Sequence, residues 1–216
     1  GDYGWKGIEH TLLALDKYGV SYAGAGENIT AAGSYQILQA GNMKVGFVSF
    51  TDVVPKHFAA GEDHYGVVTS NYPELYAQVN GAAQNADLVV VYVHWGIERS
   101  ERPEDYQRSL GKQYIDAGAD VVIGSHPPVL QGVEYYKGKP IVYSNFIFGS
   151  SIPKTALLKV QWDGQASQLT FVPGTSSAGY TRVLENEVQK ADFASYMTGI
   201  SYGVTIEDDG TVVPQG

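Results

Sequence analysis

The sequence contains no cysteine, which excludes disulfide scaffolds, thiol catalysis and cysteine-ligated metal centres together. Any metal ion must then be held by histidine, carboxylate, amide or water. An excess of positive charge is also lacking, because 14 lysines and arginines face 23 aspartates and glutamates for a formal charge of −9. A nucleic-acid-binding surface needs the opposite sign gathered on one face, so nucleic acid is not an expected partner. No apolar stretch approaches the roughly 20 residues of a membrane-spanning helix. An initiating methionine is missing too: the chain opens on Gly1 in Gly-Asp-Tyr-Gly with no strand-forming run, and the expectation is a processed or truncated product. What is present is 216 residues, 44% hydrophobic and 12% aromatic, enough for one large domain that buries roughly 70% of its unfolded surface.

Along the chain, Trp5, Ile8, Leu12, Leu15 and Tyr18 recur at helical spacing and Gly19 follows as a stop, which predicts an amphipathic helix. A short extended piece at Val20–Tyr22 and a turn at Gly24-Ala25-Gly26-Glu27-Asn28 come next. Tyr35–Leu38 and Met43–Phe50 read as strands joined at Gly41-Asn42. Thr51–Ser70 reads as a long polar loop carrying His57 and His64, and Asn71–Asn85 as a helix. Leu88–Val93 is a continuous β-branched run of the kind buried on both faces, followed by a helix over Pro103–Ala117 with Leu110, Tyr114 and Ile115 inward, and a strand over Asp120–Gly124. Strand, helix, strand with apolar strands marks a parallel βαβ unit, so the fold class is α/β. Towards the C-terminus the texture becomes mostly β: hairpins at 133–144 and 155–172, a helix over Glu187–Thr198 and a strand at Tyr202–Ile206.

Ligands of open α/β sheets gather at the carboxyl ends of the strands. His94 and His126 lie there, 32 positions apart, and the strand Met43–Phe50 delivers Thr51 and Asp52 to a matching end. Strands about 4.8 Å apart would bring two such imidazoles within reach of shared metals or a phosphate. Two histidines and a carboxylate without cysteine suit Zn, Mn or Fe, and a paired-metal hydrolase uses such donors to generate hydroxide and clamp a phosphoryl group. The competing reading is a pair of hydrogen-bonded structural histidines. His57, His64 and His10 read as solvated surface. The glycine turn lacks the third glycine of a dinucleotide fingerprint, and Asn28-Ile29-Thr30 matches a glycosylation acceptor only formally. Glu98, in the charged loop Glu98-Arg99-Ser100-Glu101-Arg102, is close enough in sequence to His94 to assist.

These residues carry a family resemblance. His94-Trp95-Gly96 with Glu98 and Pro103, then the run from Ile115 through Gly124-Ser125-His126-Pro127, then Val129-Leu130-Gln131-Gly132-Val133-Glu134, and then Gly138-Lys139-Pro140-Ile141-Val142-Tyr143-Ser144 with Asn145-Phe146 resemble the CapA family of capsule, or poly-gamma-glutamate biosynthesis, proteins. Asp2-Tyr3-Gly4 and Gly24-Ala25-Gly26-Glu27-Asn28 resemble it as well, and the likeness covers most of residues 1–150. The family is similar to calcineurin-like metallophosphoesterases, which implies a two-sheet core with flanking helices whose strand-end loops present metal ligands. The resemblance places His94 and His126 as ligands of a divalent Mn, Fe or Zn ion, with Asp52, Glu98 and Asn145 assisting. Pro128 stands where the family's His-Pro-His segment has its second histidine, and Ser144 runs into Asn145 without the family's intervening Leu-Gly. The family's upstream Asn-Asn-His and Gly-Asp segments are not in this sequence. The expectation is therefore the C-terminal majority of a single longer domain missing its N-terminal strands, with residues 176–216 a candidate extension and a dimer a candidate means of completing the sheet.

Two functions follow from the resemblance. One is a metal-dependent phosphoesterase-like hydrolase acting on a phosphoester or envelope intermediate. The other is a non-catalytic module for assembly or export of poly-gamma-glutamate with a degraded metal site. Both imply the capsule synthesis machinery or the polymer as partner, and a bacterial cell-surface location with membrane attachment through a segment outside this chain.

Overall fold

The computed structural model describes residues 3–55, 57–145 and 151–215. Asp2 and Phe146, both quoted for the resemblance, lie outside the described residues. The chain divides into two compact units, Gly1–His94 with Asp116–Ala119 and Trp95–Ile115 with Asp120–Gly216.

The first unit opens with α1 (Gly4–Lys17), where the helical spacing predicts it. Only Ile8 and Leu12 are buried on it, and Trp5 and Tyr18, at its two ends, are exposed. Gly19 takes φ +66, the left-handed conformation that lets glycine end a helix. The glycine-rich segment expected to be a turn is a short strand, β1 (Ala25–Gly26), leading into a five-residue helix, α2 (Ile29–Gly33). Asn28 caps that helix, its side-chain oxygen accepting from the Ala31 N–H at 2.9 Å. β2 (Gln36–Ala40) and β3 (Met43–Thr51) make the hairpin expected at Gly41-Asn42. β4 (Gly66–Val67), inside the expected loop, pairs with β1.

The next helix, α3 (Leu75–Asn85), begins at Leu75 rather than at the expected Asn71. Pro73 biases Tyr72 away from helical backbone, so the apolar pattern cannot start a helix before it. Leu75, Val79 and Ala82 are buried, and Gly46 of β3 admits the helix closely, since a Cβ there would lie 3.2 Å from those of Ala82 and Ala86. β5 (Leu88–His94) then runs parallel to β3, pairing Val45 with Leu88 through Thr51 with His94. Leu88 to Val91 and Val93 are buried, as an apolar run covered on both faces requires, while Tyr92 is exposed.

The second unit contains α4 (Asp105–Ala117) as far as Ile115, and its inward face differs from the periodicity reading: Gln107, Gly111, Tyr114 and Ile115 are buried and Leu110 is half-buried. The helix starts two residues after Pro103, with Gln107 Oε1 accepting from the Glu104 N–H at 2.8 Å. β6 (Val121–Ser125) lies parallel to β8 (Lys139–Ser144), and β7 (Gln131–Tyr136) lies antiparallel to β8. Lys137 and Gly138 join β7 to β8 with φ +50 and +74, the two-residue turn whose twist suits a hairpin.

β9 (Ser151–Trp162) and β10 (Ser167–Ser177) are longer than the expected hairpin, and β11 (Tyr180–Val183) is a third strand that the pattern did not announce. Pro173-Gly174-Thr175-Ser176-Ser177 reads as loop chemistry, yet β9 supplies a ladder for it, with a register shift between Gly174 and Ser176. α5 (Glu187–Ile200) is capped by Asn186, which accepts from the Gln189 N–H at 3.1 Å. β12 (Val204–Ile206) and β13 (Val212–Pro214) close the unit as a pair.

Val133 and Val142 of β7 and β8 share one apolar cluster with Ala156, Leu169 and Phe171 of β9 and β10. Phe193 and Met197 of α5 and Val204, Ile206 and Val212 complete it. The segment after α5 runs along β7: Val133 N–H donates to Ser201 Oγ and Tyr202 N–H donates to Val133 O, both at 2.9 Å. This is the α/β class with a two-sheet core expected from the sequence, mostly β in its second half.

Candidate functional site

In the first unit, β3 and β5 end together, and their ends are fastened by backbone. Asp52 N–H donates to His94 O at 2.8 Å, and Thr51 N–H donates to Val68 O at 3.1 Å. Parallel pairing of Thr51 with His94 thus brings the predicted carboxylate and histidine to one strand edge. The Asp52 carboxyl is half-buried; Ser70 Oγ donates to its Oδ1, while Oδ2 has no hydrogen-bond partner among the described residues. Burial pushes the pKa of this carboxyl above its ordinary value, with the Ser70 hydrogen bond acting against the shift. A carboxyl so raised is a better proton acceptor than a solvated one.

In the second unit, β6 ends at Ser125 and the chain turns at His126 with φ +105. A non-glycine residue there is strained, and such strain collects at functional positions. Neighbouring contacts hold the turn: Ser144 Oγ donates to Pro127 O at 3.1 Å, and Trp95 N–H donates to Ser125 O at 3.0 Å. Trp95 is fully buried, stacked on Tyr143 at 6.1 Å, and its Nε1–H donates to Tyr143 O at 2.9 Å. Gly124 passes so close beneath that a Cβ would overlap Tyr143 O and Trp95 Nε1. Asn145, at the end of β8, is buried; its N–H donates to Gly124 O at 3.3 Å and its Oδ1 has no partner among the described residues. Glu98 is exposed on the loop between β5 and α4.

His10, His57 and His64 are exposed, as expected. A cleft of about 630 Å³ in the first unit is lined by Leu12, Asp16, Tyr22, Glu27, Gln36 and Tyr65 among others, and its lining includes none of the five candidate residues.

Sequence reasoning missed a polar seam between α4 and β7. Glu134 is buried and accepts from Arg108 Nε at 3.0 Å, Lys112 Nζ at 2.8 Å and Tyr143 Oη at 2.8 Å. Burial alone would raise its pKa, but hydrogen bonds from Arg108, Lys112 and Tyr143 outweigh that and hold it below the ordinary carboxylate range. Arg108 also stacks over the Tyr202 ring at 4.1 Å. Gln107 and Gln131, both fully buried, bond to each other at 3.1 Å. The sequence carried little signal for it, since α4 is polar along most of its length and Gln131 and Glu134 are ordinary polar positions of a strand.

Two buried oxygens at candidate positions lack a hydrogen-bond partner among the described residues, Asp52 Oδ2 in the first unit and, separately, Asn145 Oδ1 in the second. Hard oxygen donors of this kind suit Mg, Ca or Mn. Among the described residues, however, no three His, Asp or Glu side chains gather into a group able to hold a metal. The described residues do not constitute a metal centre by themselves, and no chemical step is assigned to one.

Comparison with known proteins agrees with the motifs. The family described as "Bacterial capsule synthesis protein PGA_cap" matches residues 1–150. The chain is 38% identical over 160 residues to the PGA biosynthesis protein CapA of Bacillus subtilis (strain 168), covering 71% of this chain and 41% of that protein. It is 36% identical over 160 residues to the capsule biosynthesis protein CapA of Bacillus anthracis, covering 71% and 39%. The chain thus spans about two-fifths of the length of these relatives. Among solved structures, a phosphatase of Mycoplasma pneumoniae is similar at TM-score 0.41 and 11% identity, covering 70% of this chain and 56% of that one. With the family matched over residues 1–150 and the strand-end motifs in place, the chain belongs to the bacterial capsule synthesis protein family PGA_cap.

Proposed function

We propose that this chain is part of a CapA-like protein of bacterial capsule or poly-gamma-glutamate synthesis that hydrolyses a phosphoester or envelope intermediate with a divalent ion. In this reading the fold is a single metallophosphoesterase-like domain, His94 and His126 are metal ligands, and Asp52, Glu98 and Asn145 assist. The observation that supports it is the buried Asp52 Oδ2, without a partner among the described residues, at the strand edge where Thr51 pairs with His94. Such an atom costs about 1–3 kcal/mol when left unsatisfied, a cost expected where a ligand supplies the missing partner. The working location is the outer cell surface, with the capsule synthesis machinery as partner. The test is elemental analysis and chromogenic phosphodiester turnover on the full-length protein, with His94→Ala and His126→Ala variants. Bound Mn, Fe or Zn that falls in both variants, together with metal-stimulated turnover, is the expected result; a metal-free, inactive full-length protein overturns the reading.

Pro128 favours a second reading, since proline at the position of the family's second histidine offers no side-chain donor. The protein would then act without catalysis, binding poly-gamma-glutamate through bridging cations because its own charge of −9 repels a polyanion. Polymer affinity that chelator abolishes, in a protein without turnover, supports this version; affinity unaffected by chelator removes it.

A further inference from the structure

The loop between β5 and α4 carries Glu98 and follows directly on the His94-Trp95-Gly96 motif, yet its residues 97–99, 101 and 102 are exposed. What holds it is a directional chain of hydrogen bonds inside the second unit. The Glu104 N–H donates to Gln107 Oε1 at 2.8 Å; Gln107 Nε2 donates to Gln131 Oε1 at 3.1 Å; and Gln131 Nε2 donates to the carbonyls of Ser100 at 2.8 Å and Arg102 at 3.2 Å. Both amides are fully buried, so water cannot replace these bonds. Each amide can be oriented only one way: turning either one over sets oxygen against oxygen or nitrogen against nitrogen. At the other end of the loop, the Gly96 N–H donates to Tyr106 Oη at 2.7 Å, and Gly96 packs so that a Cβ would sit 2.9 Å from Gln107 Nε2 and 3.0 Å from Pro127 Cγ. Gln131 itself lies five residues after the strained His126 and is buried with its neighbours Leu130 and Gly132.

We propose that the Gln107–Gln131 amide relay is a positioning device that fixes the Glu98 loop against the His126-Pro127 turn, and that Gln131 is its key residue. The relay touches no reacting atom; it sets where the loop carbonyls, and with them Glu98, can lie. As a catalytic statement this rests on the hydrolase reading above, but the ordering of the loop does not.

The test is Gln131→Glu in the full-length protein, a change of the same shape that replaces the donor facing Ser100 and Arg102 by a carboxylate oxygen. Hydrogen exchange of the Ser100 amide, which donates to Ile97 O at 3.2 Å, and of the Gly96 amide, which donates to Tyr106 Oη, should accelerate about tenfold or more, while amides of β9 and β10 keep wild-type protection. Under the hydrolase reading, kcat for the phosphodiester falls at least about tenfold with KM and metal content unchanged. Should Gln131→Glu fail to fold, Gln107→Glu serves: it forces Gln131 to turn its nitrogen towards residue 107 and its oxygen towards the loop, releasing the same amides. Wild-type exchange of the Ser100 and Gly96 amides in the folded variant overturns the proposal. An inactive wild-type protein with a released loop in the variant removes the catalytic reading and leaves the positioning role standing. A released loop with wild-type kcat limits the relay to architecture and overturns its catalytic part.

Discussion

Replacing Glu134 by glutamine changes one atom at a buried junction of three donors. The carboxylate now serves Arg108 and Tyr143 with Oε2 and Lys112 with Oε1. Glutamine keeps one acceptor oxygen and turns an NH2 group on whichever donor remains, so at least one charge-assisted bond is lost and a donor faces a donor. Removing one partner of a buried ion pair costs about 3–5 kcal/mol. Here Arg108 and Lys112 are 33% and 35% exposed and can turn to water, which lowers the expected loss to about 2 kcal/mol. In urea unfolding followed by tryptophan fluorescence at pH 7, that corresponds to a midpoint lower by about 1 M at a typical slope for this size. The loss should also depend on pH in a definite direction. The folded fold holds the Glu134 pKa below its unfolded value, so its contribution is complete above about pH 4.3 and disappears as pH falls through the lower folded pKa. Wild type and variant should therefore converge in acid. A difference under about 0.5 kcal/mol at pH 7, or one that persists undiminished at pH 3, would refute the ion-pair account.

The Asp52 carboxyl has the opposite sign: its folded pKa is raised by burial, so ionising it as pH rises destabilises the fold, and Asp52→Asn should raise Tm at pH 7 with the advantage gone below about pH 3.9. Differential scanning calorimetry across that range checks it, and a lower Tm at pH 7 contradicts it. Gly124→Ala drives a methyl group into Tyr143 O and Trp95 Nε1, with an expected loss of about 3 kcal/mol or failure to fold, read by circular dichroism and soluble yield. Asn28→Ala removes the α2 cap and should cost about 1 kcal/mol, seen as faster hydrogen exchange at the Ala31 amide, where unchanged exchange would show the cap to be idle.

The elements that were legible are those in which one chain segment settles its own environment. Leu88–Val93 has so many β-branched residues in a row that only a covered strand accommodates them, and Lys137-Gly138 sits between two strand patterns at the spacing a tight turn needs. Segments whose conformation is decided by a distant partner were not legible. Residues 173–177 carry proline, glycine and serine and extend only because β9 offers a ladder. Gln107 and Gln131 are polar, and hydropathy sends them to solvent; only their facing each other makes burial affordable. The same holds for the candidate site. Strand-end position nominated Asp52, His94 and His126 from sequence, whereas the φ of His126 and the oxygens of Asp52 and Asn145 that lack partners among the described residues are products of packing that no local pattern encodes.

The stretch Ile200–Tyr202 lies against β7 closely enough that a Cβ on Gly132 would overlap Ile200 O, and it occupies both the N–H and the C=O of Val133. β7 is the last strand of its sheet, and an outermost strand with free backbone groups invites another chain to add to it. This segment acts as a plug. A strand of a second copy that sought to extend the sheet at Val133 would have to displace this segment first. The same plug defines a limit for trimming the protein: cutting before residue 200 would bare both backbone groups of Val133 and strip Val204, Ile206 and Val212 from the core, and should promote self-association.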